Sequence, residues 1–129
     1  MFEKPEVLAI ASSLAAHAAA RQSAIARNVA NADTPGYRAS DLPGFADLYR
    51  ETDTAPLRAT RTGHFAALAD GGMPAAAARM PVGAMAPNGN SVSLEVEMVK
   101  AAEVKREHDL ALAVYGKSLA ILRASLGRR

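Results

Sequence analysis

Ala26-Arg27-Asn28-Val29-Ala30-Asn31-Ala32-Asp33-Thr34-Pro35-Gly36-Tyr37 closes a long apolar-periodic helix with a turn specified by its own chemistry. Pro35 disfavours helix at Thr34, and Pro35-Gly36 suits the two central positions of a type II turn. Asn28 and Asn31 carry side chains that accept local backbone bonds where helical pairing runs out. None of these residues is an obvious catalytic group. An exit so elaborate, at the end of an alanine-rich segment, points to assembly geometry rather than to chemistry.

Upstream of that turn the pattern predicts a helix from Pro5 to Asn31, with Pro5 acceptable in a first turn. Leu8, Ala11, Ala15, Ala18, Gln22, Ile25, Val29 and Ala32 alternate spacings of three and four, the seam of a coiled coil. Ser13, His17, Arg21 and Asn28 lie away from that seam. Its many alanines let a partner helix approach closely.

At the other end, Ser93 to Leu126 predicts a second helix, roughly 50 Å long at its standard rise. Leu94, Met98, Ala101, Lys105, His108, Leu112, Tyr115, Leu119, Leu122 and Leu126 keep the same heptad rhythm. Ser93 is an N-cap candidate, followed by Glu95 and Glu97, while Arg123, Arg128 and Arg129 lie near the far end; this complements the helix dipole. Val96 stands where a capping box would need Glu or Gln. A second apolar series, Val96, Val99, Leu110, Val114 and Ile121, is offset from the seam. Two apolar faces imply two neighbours. One is the N-terminal helix, and the other is a second subunit or a further element of the same chain.

Three parts therefore make one structural unit: residues 1–37, helix and turn; 38–90, an irregular connection; 91–129, the C-terminal helix. Within the connection, Asp41 to Glu51 predicts a short helix carrying Phe45, Leu48 and Tyr49. Leu57 to Leu68 reads as a small hairpin around Thr62-Gly63. Asp70 to Asn90, rich in Ala, Gly, Pro and Met, reads as a mobile stretch. The fold class is mainly α and elongated, with the terminal helices packed as a coiled-coil-like pair around an irregular, partly mobile middle.

Composition sets the bounds. The chain has 129 residues, 5% aromatics, no Trp, and much of its 50% hydrophobic fraction is alanine, which permits a compact core but argues against a large one. Without cysteine there is no disulfide, zinc-thiolate site or cysteine nucleophile. A formal charge of +2 is too small to imply nucleic acid, and the arginines at the C-terminal end are explained by helix-end complementarity. Glu3 and Glu6 interrupt the N-terminal apolar residues, which do not form a cleavable signal, and no run is long enough to span a membrane.

Candidate chemistry is sparse. His17, His64 and His108 share no metal-binding spacing, and read as surface or interfacial residues. His108 with Lys105 brings polarity into the second seam, where such residues set register or leave a solvated gap. Glu103, Glu107 and Asp109 interleave with Lys100, Lys105 and Arg106 as a salt-bridged solvated face. Ser12, Ser13 and Ser23 lack a base at a recognisable spacing, and no glycine-rich phosphate loop follows a strand. No catalytic, cofactor or metal residue is assigned.

The segment Ala26-Arg27-Asn28-Val29-Ala30-Asn31, then Ala32-Asp33, then Thr34-Pro35-Gly36-Tyr37-Arg38 resembles the N-terminal signature of the bacterial flagellar axial proteins of rod and hook. Two further stretches resemble their proximal, B-type rod branch. One is Ala59-Thr60-Arg61-Thr62-Gly63-His64-Phe65. The other is Gly89-Asn90-Ser91-Val92-Ser93-Leu94-Glu95-Val96-Glu97-Met98, in which Ser93 replaces the usual Asp. The resemblance implies a non-enzymatic subunit exported through the flagellar type III apparatus without a cleaved signal. It implies helical assembly in the periplasm as a torque-transmitting rod, next to other rod subunits, the adaptor FliE, the MS ring and the export gate. Nucleic acid and direct membrane insertion are not implied. The motif residues Asn28, Val29, Ala30, Asn31, Thr34, Pro35, Gly36, Tyr37, Gly89, Asn90, Val92, Leu94, Glu97 and Met98 become assembly candidates. Leu8, Ile25, Leu112, Tyr115, Leu119 and Leu122 become candidates for the helix seam. A C-type rod protein and a small helical export chaperone or adaptor are the alternatives.

Overall fold

The computed structural model describes residues 6–52 and 85–127. They form three helices: α1 (Glu6–Ala30), α2 (Phe45–Thr52) and α3 (Leu94–Ser125). Alanine-rich sequence favours α1 intrinsically, and Glu6 in its first turn and Arg27 in its last suit the dipole. The helix then tightens: Ala32 N–H donates to Val29 O (3.2 Å) and Thr34 N–H to Asn31 O (3.0 Å). Tyr37 N–H closes on Thr34 O at 3.3 Å across Pro35 and Gly36, with Gly36 at φ 72°. This is the type II turn that the sequence predicts.

Helix α2 overlaps the expected 41–51 window, beginning only after Pro43-Gly44 and ending one residue beyond it. Gly44 O accepts from both Asp47 N–H (3.1 Å) and Leu48 N–H (3.2 Å), which sets its first turn. Helix α3 starts next to the expected N-cap. Ser93 is extended (φ −106°, ψ 114°), but its hydroxyl makes no capping bond. Its carbonyl accepts the first helical bond, from Glu97 N–H at 3.0 Å, and the residue is exposed.

Asn28, near the end of α1, bonds Glu97, near the start of α3, so the two long helices pack antiparallel. Ala18, Ile25 and Val104 form the buried cluster between them, with Ala101 against it. The seam of α1 holds at Ala11, Ala18 and Ile25, and Leu8 and Ala15 are half-buried. It fails at Gln22 and at Val29, which is 40% exposed. Asn28 and His17, expected away from the seam, are buried because segment 37–44 covers that side of α1.

The seam of α3 is rotated from its expected line. Glu97, Val104 and Ala111, seven residues apart, are its buried residues. Leu94, Met98, Leu112, Tyr115, Leu122 and Leu126 are exposed, Lys105 is exposed, and His108 and Leu119 are half-buried. The physical reason lies in what the facing helix meets. Glu97 is drawn inside by Asn28 and Val104 by Ala18 and Ile25, so Leu94, Met98 and Leu112 lie on the flank of that line, while Tyr115, Leu122 and Leu126 lie past its last buried residue, Ala111. The offset series Val96, Val99, Leu110, Val114 and Ile121 is exposed as well. Past Ala111 no described residue of α3 is buried.

Residues 85–90, expected within a mobile stretch, form a tight turn at the start of the return leg, held by bonds described below. The hairpin expected over 57–68, the rest of the 70–90 stretch and His64 lie outside the described residues. No helix is long and apolar enough among the described residues to cross a membrane.

A small seam makes its few larger members decisive. Ile25→Ala is expected to lower the unfolding free energy by about 2–4 kcal/mol in denaturant titrations followed by circular dichroism. Ile121→Ala, on a side chain that is 68% exposed, is expected to change it by less than about 0.5 kcal/mol. Equal effects would mean that the helices pair along a different line.

Candidate functional site

The two sequence signatures, one ending α1 and one starting α3, meet in space. Asn90 is 2% exposed, and its carboxamide Nδ2 lies 2.9 Å from Asn31 O, 2.7 Å from Ala32 O and 2.9 Å from Thr34 O. They lie at the helix end and the turn, where Asn31 O and Thr34 O also accept from Thr34 N–H and Tyr37 N–H. Two amide hydrogens are shared among three acceptors, so the exit of α1 is capped by a side chain 56 to 59 residues away. The other end of the same side chain accepts from Val92 N–H at 2.7 Å, an Asx turn that aims the chain into α3.

Backbone bonds complete the joint. Gly36 N–H donates to Asn88 O (3.0 Å) and Ser91 N–H to Tyr37 O (3.1 Å). Gly89 has φ 78°, and a Cβ built on it would stand 3.5 Å from the Cα of Gly36. The left-handed backbone, rather than the room around it, is what calls for glycine there.

A second asparagine works from inside the helix. Asn28 is fully buried, and all four of its hydrogen-bonding capacities are used. Nδ2 donates to Ser40 O (2.8 Å) and to Glu97 Oε2 (2.9 Å). Oδ1 accepts from Ser40 N–H (3.0 Å) and the Tyr37 hydroxyl (3.3 Å). One side chain thus joins α1, the outgoing segment and α3. Ser91 adds a further tie, its hydroxyl accepting from Ala39 N–H at 2.9 Å.

The carboxylate of Glu97, 2% exposed, is balanced by Lys100, whose ammonium is 2.9 Å from Oε1 and 3.2 Å from Asp41 Oδ2. Asp41 Oδ1 accepts from Arg21 Nε at 3.1 Å and from Leu42 N–H at 2.8 Å. Burial opposes the charge on Asp41, but the hydrogen bonds and positive charges of Arg21 and Lys100 outweigh it, and the carboxyl lies below the ordinary aspartate range. Burial likewise opposes the charge on Lys100 and Arg21. It is outweighed for Lys100 by Glu97 and Asp41, and for Arg21 by Asp41 with Glu107 and Glu103 farther off, so both lie above their usual values. A further hold comes from His17. Its Nε2–H donates to Pro43 O at 2.9 Å, and its ring meets Phe45 edge-on at 5.7 Å.

The motif residues divide sharply. Asn28, Asn90 and Glu97 are buried in the joint; Asn31, Tyr37, Gly89 and Val92 are half-buried; Val29, Ala30, Thr34, Pro35, Gly36, Leu94 and Met98 are exposed. Sequence reasoning missed Arg21, Ser40, Asp41, Ser91 and Lys100. Nothing in the pattern separates Lys100 from Lys105, because what distinguishes them is the arrival of Asp41 over one side of the helix pair. Asn90 binds backbone carbonyls, while Asn28, Glu97 and Lys100 bind one another and the outgoing segment.

Against known proteins, the family model for flagella basal body rod proteins matches residues 8–38, α1 and its exit turn. FlgB from Cereibacter sphaeroides strain ATCC 17029 is 32% identical over 106 residues, covering 82% of each chain. The chain belongs to the FlgB family of flagellar basal body rod proteins. FlgB from Agrobacterium fabrum strain C58 is also 32% identical, over 111 residues and 81% of each chain. Membership in the FlgB family makes this a structural rod subunit. The joint between the two signatures is accordingly read as its architecture.

The charged part of the joint gives a pH dependence of definite sign. Because Asp41 is held below its unfolded value of 3.8, its stabilisation is complete above that pH and is lost as pH falls through the lower folded value. Lys100, held above 10.5, stabilises below that pH and loses its contribution as pH rises through the higher folded value. Asp41→Asn is expected to flatten the acid limb of stability below about pH 4, measured by denaturant titration at a series of pH values. An unchanged acid limb would show that Asp41 is not held by its two cations.

Proposed function

We propose that the chain is a proximal subunit of the flagellar rod, acting without catalysis. It passes through the type III export apparatus without a cleaved signal and assembles helically in the periplasm. There it transmits torque, in contact with other rod subunits, the adaptor FliE, the MS ring and the export gate. Coupled folding supports the export step, since a pair of helices with an alanine seam buries little by itself and gains its remaining burial on joining neighbours.

The observation that carries this reading is the placement of apolar bulk on α3. Leu112 (53% exposed) and Ile121 (68% exposed) sit on opposite flanks of the buried line, each within a series of exposed apolar residues. A helix apolar on both flanks, with its seam already filled, is suited to a neighbour on each side. Contacts of that kind, repeated head to tail without closing, build a helical filament. Rigidity at the α1 exit supports torque transmission, because the joint fixes the direction in which the rest of the subunit leaves the helix pair.

Leu112→Asp and Ile121→Asp are expected to abolish motility and to remove the protein from isolated basal bodies, while synthesis and helicity stay normal. Both changes lie outside the seam, so the fold tolerates them. Normal swimming by both variants would contradict the proposed assembly surface.

A further inference from the structure

Asn88-Gly89 lies in the turn that carries the chain to the exit of α1, and Asn-Gly is the dipeptide least hindered toward intramolecular attack on the side-chain amide. In that reaction the Gly89 nitrogen gives up its proton and bonds to Cγ of Asn88. The Cγ–Nδ2 bond breaks and ammonia leaves, taking up the proton. The resulting succinimide adds water at either carbonyl and opens to aspartate or isoaspartate. No oxidant or further reactant is needed.

We propose that Asn88 is a deamidation site that folding closes, open to reaction in the unfolded chain and blocked once the turn has formed. Both reacting groups are occupied in the fold. Gly89 N–H donates to Ala86 O at 2.8 Å, which holds the proton that must leave. The Asn88 side chain is turned instead toward residue 90, its Oδ1 accepting from Asn90 N–H at 3.0 Å. The backbone between them is pinned from both ends. Asn88 O accepts from Gly36 N–H at 3.0 Å, and Ala86 N–H donates to Asn90 O at 2.8 Å. Ring closure requires these bonds to open together, so the reaction follows the population of the locally open turn. Exposure of Asn88 to solvent does not by itself suffice.

The product would matter because of its position. Isoaspartate inserts a methylene into the main chain between residues 88 and 89. That displaces both the acceptor for Gly36 N–H and the side chain of Asn90 that caps α1. A chain that waits unfolded long enough to react therefore loses the ability to complete the joint, whereas a folded chain is protected. The other described asparagines precede bulkier residues: Val29 after Asn28, Ala32 after Asn31 and Ser91 after Asn90.

The test incubates the full chain at mildly alkaline pH, in native buffer and in guanidinium chloride, and maps deamidation by peptide mass and isoaspartate methylation. Asn88 is expected to react in denaturant and at least about tenfold more slowly in native buffer. Asn90→Ala, which opens the turn from its buried end, is expected to raise the native-buffer rate severalfold toward the denatured one. A wild-type native rate within about tenfold of the denatured rate overturns the proposal. So does an Asn90→Ala chain that reacts no faster than wild type.

Discussion

The structure depends on the carboxamide of Asn90 at the end of α1. A helix exit exposes carbonyls that must find partners, and burying them unpaired costs free energy. Here the partner is a side chain from the opposite end of the sequence, reaching Asn31, Ala32 and Thr34 together. Capping and long-range tying are therefore one interaction. Without it α1 could still form, but the carbonyls of its exit would lose the one side chain that ties all three to the segment leading into α3. The Gly36–Gly89 approach and the Asn28–Glu97 bond share that register.

Polarity and small size concentrate where an ordinary helical hairpin would put bulk. Alanines along α1 bring the helices close, and the buried line of α3 runs through Glu97, Val104 and Ala111. The hydrophobic effect scales with area removed from water, so this seam stabilises weakly. Specificity comes from the hydrogen-bonded end of the pair, where an off-register pairing would strand buried polar groups. Large side chains of α3, among them Met98, Leu112 and Ile121, are left exposed.

Much of this was legible in the sequence, for identifiable reasons. Pro35-Gly36 fixes its own turn, because the φ preferences of proline and glycine act locally. Both long helices were visible in the apolar rhythm. The seam of α3 was not. Leu112 and Ala111 both fit a heptad rhythm, and the line that goes inside is set by Glu97 on Asn28 and Val104 against Ala18 and Ile25, contacts that belong to the other helix. Periodicity, which describes one helix at a time, places His17 and Asn28 away from the seam. Segment 37–44, with Asp41, Pro43 and Ser40, returns over them, and its path follows from the turn and from the two asparagines. Residues 85–90 looked like low-complexity linker, yet Asn90 turns them into a cap.

Denaturant unfolding of Asn90→Ala beside Asn90→Asp isolates the bonds that the Asn90 carboxamide donates to the α1 exit. Aspartate keeps the oxygen that accepts from Val92 N–H but cannot donate to the three carbonyls of the α1 exit. The account predicts that both variants lose about 1–3 kcal/mol, with aspartate at least as destabilised as alanine. Wild-type stability in the aspartate variant would contradict it, because the donor bonds to Asn31, Ala32 and Thr34 would then contribute nothing to holding the two helices in register.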